Sequence, residues 1–203
     1  MKRIPVILDC DPGHDDAAAI LLAARSPEIE LLGITCVAGN VEVEKTTANA
    51  LHVCGLIGLR KVPVAKGMAQ PLFGELTTAE QAHGKSGLDG AEFPPTDLQC
   101  DPRHAVDFLI ETIMNSPVKI TLIPTAPLTN IAMAMLREPR ICERIGQIVM
   151  MGGSMGMGNA TPSAEFNIYV DPEAASIVFN SGVPIVMVGL DVTEKALMTA
   201  EHI

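Results

Sequence analysis

At 203 residues and 48% hydrophobic, the chain has the length of one domain and enough apolar content for a sizeable core. Its formal net charge of -10 excludes nucleic acid as a partner, and neither a Lys/Arg-rich block nor a run of transmembrane length points to a membrane. Five cysteines (Cys10, Cys36, Cys54, Cys100, Cys142) without CxxC spacing read as reduced thiols of a cytoplasmic protein, and 3% aromatics with no Trp offer neither a base-stacking platform nor an aromatic wall for a sugar.

Met1-Lys2-Arg3 leads directly into a strand, Pro5 to Leu8, with no signal-peptide pattern. Asp9 and Asp11 end that strand, Pro12-Gly13 break it, and Asp15-Asp16 open an apolar helix that runs from Asp16 to Arg25. Glu30 to Val37 is the second strand, Val43 to Leu59 has helical spacing, and Val62 to Ala65 is a short third strand. Gly67 to Asp101 is rich in Gly, Pro and polar residues and has no sustained period, the mark of a functional or mobile loop. Regularity returns with a helix at His104 to Asn115, a strand at Lys119 to Pro124 and a helix at Pro127 to Arg137. A strand at Gln147 to Met151 runs into the glycine-rich loop Gly152 to Asn159. Asp171-Pro172-Glu173 then starts a helix closed by Asn180 and Gly182, and Pro184 to Leu190 is the sixth strand. A further helix begins near His202-Ile203.

Alternating strands and helices with short connections predict an α/β fold in one domain over 1–203. Its open, mostly parallel sheet carries helices on both faces. Ligands of such sheets bind beyond the carboxyl ends of the strands. Asp9, Asp11, Asn40, Thr125, Gly152 to Asn159 and Asp191 all fall there.

Asp9-x-Asp11-x-x-x-Asp15-Asp16 places four carboxylates within eight residues. An Asp-capped turn uses one or two of them. Four repel one another, and desolvating them together costs several kcal/mol. A helix N-terminus supplies about half a charge, so a divalent cation with hard oxygen ligands is the expected partner. Asp-x-Asp after a strand also opens haloacid-dehalogenase-type phosphatases, which would make Asp9 a covalent nucleophile. Those continue Asp-Gly-Thr, whereas this chain reads Asp11-Pro12-Gly13-His14 and has no later Gly-Asp-x-x-x-Asp element. Other polar residues have plain readings beside functional ones. Glu165 and Asn167 alternate as on an exposed strand, and His14 fits a helix start as well as a base contact. His52 and His104 fall on helical segments. Met150, Met155 and Met157 fit core positions, and only Met151 stands at a strand end. Asp171 is a helix cap, Asp9 supports the neighbouring acids, and Asp191 fits a turn or a supporting role.

The string DCDPGHDDAAAILLA, followed by GITCVAGN, HGKSGLDG, LIPTAPLTNIAMA, IVMMGG, GNATPSAEFNIYVDPEA and MVGLDVT, resembles the inosine–uridine-preferring nucleoside hydrolases over nearly the whole chain. The resemblance implies an α/β sheet with a Ca²⁺ ion at its carboxyl edge, ligated by Asp11, Asp16 and the Thr125 carbonyl. Asp11 would be general base on the ion-bound water and Asp15 would hold the ribose hydroxyls. Asn40, Asn159, Glu165 and Asn167 would line the ribose, with Met151 against it and His83 near the nucleobase. The implied reaction is hydrolysis of a small-molecule ribonucleoside to ribose and base. The opening motif with HGKSGLDG most resembles the pyrimidine-preferring branch, so uridine and cytidine should outrank inosine. A homo-oligomer is expected.

The family's members are longer, and their late portion carries a His-Asp pair with no equivalent in these residues. From that difference the 203-residue chain alone is expected to be poorly soluble or oligomeric, to bind Ca²⁺ weakly and to hydrolyse nucleosides slowly or not at all. A binding-only remnant is the alternative.

Overall fold

The computed structural model describes residues 3–197 and 199. The apolar run after Arg3 forms strand β1 (Ile4–Cys10). The strands β2 (Ile29–Cys36), β3 (Val64–Lys66), β4 (Ile120–Pro124), β5 (Ile145–Met151) and β6 (Ile185–Val188) join it in one sheet whose neighbours all run parallel. The lateral order is β3-β2-β1-β4-β5-β6. The chain therefore starts in the middle, builds outward through β2 and β3, then returns to the far side of β1. Connections leave β1 and β4 in opposite directions, which opens a crevice at the carboxyl ends of those two strands.

Alternation along the strands feeds two apolar layers. Ile7 faces one layer with Phe108, Leu109, Ile120, Leu122 and Ile131, and its neighbour Leu8 faces the other with Ile20, Ile34, Val53 and Val64. Helices α1 (His14–Arg25) and α2 (Val43–Leu56) cover the Leu8 side. The short α3 (Glu80–His83) lies within the long loop. Helices α4 (Ala105–Asn115), α5 (Thr129–Arg137) and α8 (Pro172–Phe179) cover the Ile7 side. Three short helices, α6 (Ile141–Arg144), α7 (Phe166–Val170) and α9 (Leu190–Thr193), complete the described elements. The α/β class and all six expected strands are present, with ends shifted by a few residues. All five cysteines are free, and burial pushes the Cys54 thiol up to about 12.

Three local readings need correction. Glu165 and Asn167 do not alternate on an exposed strand. Glu165 is the N-cap of α7, its carboxylate accepting the Ile168 N–H at 3.2 Å, and Asn167 is buried within that helix. Met155 and Met157 are not core residues but stand 89% and 77% exposed; Met150 is buried. The stretch 67–101 is not wholly irregular, since α3 and a bridge between Ala65 and Asp101 lie within it. Asp171 caps α8 through the Ala174 N–H and also accepts from Thr129 Oγ1 at 2.6 Å and Leu72 N at 2.8 Å, so one buried carboxylate ties the long loop to α5. The helix expected near His202-Ile203 lies outside the described residues.

Candidate active site

Three carboxylates lie buried at the carboxyl end of β1. Asp9 belongs to the strand itself, paired with Thr35 on β2 and Pro124 on β4. Thr35 Oγ1 (2.5 Å) and Asn130 Nδ2 (2.8 Å) both donate to its Oδ1, while Oδ2 has no partner. Burial raises its pKa to about 7. Asp9 is absent from the walls of the cavity described below, so it is not placed to act as a nucleophile there.

Asp11 follows on the turn. Its Oδ2 accepts the Asn40 backbone N–H at 2.6 Å and its carbonyl accepts Asn40 Nδ2 at 3.0 Å, while its Oδ1 is buried and unpartnered. A Cβ on Gly39 would come within 2.1 Å of Asp11 Oδ2, so only glycine lets the chain after β2 approach this carboxylate. Asp16, in the first turn of α1, accepts from Thr125 Oγ1 at 2.6 Å. Burial, then the charge of Asp16, raises the Asp11 pKa; burial, then the charge of Asp15, raises that of Asp16 to about 7. Among the described residues no lysine or arginine pairs with Asp9, Asp11, Asp15 or Asp16.

An unpartnered buried carboxylate oxygen beside a second acid, with no lysine or arginine paired to either among the described residues, fits a hard divalent cation. Among the described residues no three His, Cys, Asp or Glu side chains converge on one point, so Asp11 and Asp16 would need neutral oxygens beside them. Thr125 is the adjacent source. Its carbonyl accepts Asn167 Nδ2 at 3.1 Å, which leaves one lone pair free.

Above the acids lies an open cavity of about 440 Å³. Asp11, Asp15, Asn40, His83, Thr125, Met151, Asn159, Glu165 and Asn167 all line it, and Asp16 sits behind Thr125. The supports of these side chains come from several elements. Asn167 Nδ2 also reaches the Met151 carbonyl at 3.2 Å, Glu165 Oε2 accepts the Gly153 N–H at 2.9 Å, and Asn159 Oδ1 accepts the Phe166 N–H at 2.8 Å. Burial lowers the pKa of His83, which faces His14 across a 3.3 Å contact between their Nδ1 atoms.

Thr77, Thr78, Gln81, Ala160, Phe166 and Tyr169 also line the cavity, outside the set of residues expected there. Phe166 and Tyr169 overturn the expectation that no aromatic wall is available. Their signal was present: spaced i, i+3, they share a face once the segment is a helix. His52 meets Phe93 and His104 caps α4, both structural positions, and Asp191 accepts the Met155 N–H at 2.8 Å in a turn.

The family model for inosine-uridine preferring nucleoside hydrolases matches residues 6–203. The pyrimidine-specific ribonucleoside hydrolase RihB of Escherichia coli (strain K12) is 52% identical over all of this chain and 64% of its own length. Among solved structures, the plant nucleoside hydrolase PpNRh1 superposes with a TM-score of 0.90 at 39% identity, covering 95% of this chain and 61% of that one. The purine-preferring ribonucleoside hydrolase from Gardnerella vaginalis gives a TM-score of 0.90 at 39% identity, covering 97% and 64%. The chain thus spans less than two thirds of the length of these relatives. A match across this much of the chain, with its acids gathered at the β1–β4 crevice, makes the conclusion plain: the chain belongs to the inosine-uridine preferring nucleoside hydrolase family.

Proposed function

We propose that this site hydrolyses the N-glycosidic bond of ribonucleosides, releasing ribose and free base. The observation that carries the reading is Asp11: a buried carboxylate with one unpartnered oxygen, on the wall of a cavity otherwise rich in carboxylates and amides. Breaking a glycosidic bond passes through an oxocarbenium-like sugar cation, which fixed acids and amide oxygens stabilise as its charge develops.

In this reading Asp11, Asp16 and the Thr125 carbonyl hold a divalent cation, Ca²⁺ by its preference for hard oxygen ligands. When bound, that cation supplies positive charge that acidifies water and orients sugar hydroxyls. Asp11, on the cavity wall with one carboxylate oxygen unpartnered, would take the proton of the attacking water. Asp15, exposed on the cavity wall, accepts the ribose hydroxyls. Asn40, Asn159, Glu165 and Asn167 surround the sugar, Met151 packs against it and His83 meets the base. Uridine and cytidine are the preferred substrates. The 52% identity to a pyrimidine-specific enzyme, against 39% to a purine-preferring one, supports that order. The same reading makes the protein a homo-oligomer of the cytoplasm.

Asp11→Ala assayed with uridine and inosine is the test. Loss of the base should lower kcat by about 10²–10⁴-fold. Unchanged turnover would remove Asp11 from the reaction, and a higher kcat/KM for inosine than for uridine would reject the preference.

A further inference from the structure

The segment carrying His83 is fastened to the Pro12-Gly13-His14 turn at two points. On the buried side, Asn49 Nδ2 donates to the carbonyls of Pro12 (3.0 Å) and Ser86 (2.8 Å). On the cavity side the fastening is His14. Its Nε2 lies 3.1 Å from the Asp89 carbonyl oxygen, its Nδ1 3.3 Å from His83 Nδ1, and its backbone N–H 3.4 Å from that same atom. The turn between is held by the Asp89 carboxylate, which accepts from Lys85 N, Ser86 N and Ser86 Oγ, with Gly84 and Gly87 at positive φ.

The two ring centroids are 5.5 Å apart and the planes differ by 22°. That separation is the 3.3 Å nitrogen contact plus one centroid-to-nitrogen radius on each ring. The two Nδ1 atoms therefore lie on the line joining the rings and meet in-plane, as hydrogen-bond partners do, rather than face on. A carbonyl only accepts, so His14 Nε2 carries a hydrogen toward Asp89 and a neutral His14 has a bare Nδ1. The hydrogen between the rings then sits on His83 Nδ1, which donates it to His14 Nδ1, and the 3.4 Å approach of the His14 backbone nitrogen to that protonated atom is a packing contact rather than a second hydrogen bond. The His83 ring packs against backbone: a Cβ on Gly13 would stand 2.6 Å from Nδ1 and 2.8 Å from Cε1. Nδ1 of His83 is thus committed to His14, and Nε2 is the ring nitrogen with no hydrogen-bond partner among the described residues, in a side chain that lines the cavity.

We propose that His14 is the positioning residue of His83: it occupies Nδ1 and leaves Nε2 as the nitrogen offered to the heteroaromatic base of the substrate. The identity of that ligand rests on the hydrolase reading above; the fixing of the ring does not. Asn49 secures the backbone of the segment, and His14 sets which edge of the imidazole works.

Three variants separate this from a structural role at the start of α1. His14→Asn keeps a polar group where Nδ1 stands, His14→Gln keeps one where Nε2 stands, and His14→Ala keeps neither. Each is assayed on uridine and on p-nitrophenyl riboside, whose acidic phenol leaves without help from a base-side residue. The expected result is a fall of about tenfold in kcat/KM for uridine in the Ala and Gln variants, the loss of one hydrogen bond, with recovery in Asn and little change on the nitrophenyl riboside. An equal fall on both substrates, no fall on either, or recovery by Gln equal to that by Asn overturns the proposal. Imidazole ¹⁵N spectra of the same proteins decide independently of turnover. A single His83 tautomer in the parent that becomes a mixture in His14→Ala supports it, and an unchanged spectrum overturns it. A parent protein that hydrolyses neither substrate defeats the hydrolase reading, and the spectra then judge the positioning role alone.

Discussion

Beneath the cavity, in its charged floor layer, Asp9, Asp11 and Asp16 are buried and are held by Thr35, Asn130, Asn40 and Thr125, which lie 26, 121, 29 and 109 residues away in the chain, and of the three acids Asp11 reaches the cavity wall. The loop that carries Asn159 is made the other way. Met155 and Met157 stand in solvent, and most of the loop's bonds span two to seven residues, as from Gly156 N to Ser154 Oγ or Phe166 N to Asn159 Oδ1. Under the proposed function, the difference separates the part that carries chemistry from the part that carries specificity. The charged floor is fixed by the whole fold and cannot shift without unfolding it, whereas the outer loop is closed locally and its side chains are free to vary.

Breaking the floor should have the largest effect. Removing the Asp11 carboxylate takes away both the proposed cation ligand and the proposed base, hence the loss of several orders of magnitude in kcat predicted above.

Next comes the cost of gathering the acids without a cation. With a chelator present, Asp9 and Asp16 have pKa values of about 7, against 3.8 for an ordinary aspartate. Between those values the folded chain binds more protons than the unfolded one, so stability falls as pH rises across the window. Denaturant unfolding in chelator should show a loss of about 5 kcal/mol from pH 5 to pH 8, about half from each acid. Saturating Ca²⁺ should reverse the slope, because the cation favours the ionised acids. A chelated protein equally stable at both pH values would contradict this account of the floor.

Asn130 offers a sharper and smaller cut. Fully buried, it donates to Asp9 Oδ1 and the Cys36 carbonyl and accepts the Met68 N–H at 2.9 Å. Asn130→Ala removes all three bonds, leaving Asp9 Oδ1 with Thr35 Oγ1 alone and the Met68 N–H without its acceptor, and should cost about 2–4 kcal/mol in unfolding free energy. At the small end, Met155→Ser and Met157→Ser should change stability by less than about 0.5 kcal/mol. A large loss from either would show that the outer loop packs more firmly than its exposure implies.

Much of this was legible in the chain and some was not, for reasons that follow the same division. Local patterns announce local structure. The β-branched run before Asp9, the Pro12-Gly13 break and the Asp171-Pro172-Glu173 start each specify their element within a few residues. The four-Asp stretch announces a charge problem that demands a positive partner. Long-range features leave no such trace. Nothing near Asp9 says that Thr35 and Asn130 satisfy one of its oxygens, or that it lies inside the strand rather than beyond it. Segment 165–169 is too short for its period to distinguish strand from helix. The helix was therefore missed, and with it the two aromatics that it turns toward the cavity.

The central claim is that the Asp11 floor is a cation site, and direct calorimetric titration of Ca²⁺ into chelator-treated protein tests it with no dependence on substrate. The account predicts one ion bound per chain in the parent and no measurable binding in Asp11→Asn, which keeps the shape and removes the charge. A parent that takes up no ion, or a variant that binds it as the parent does, would contradict the account.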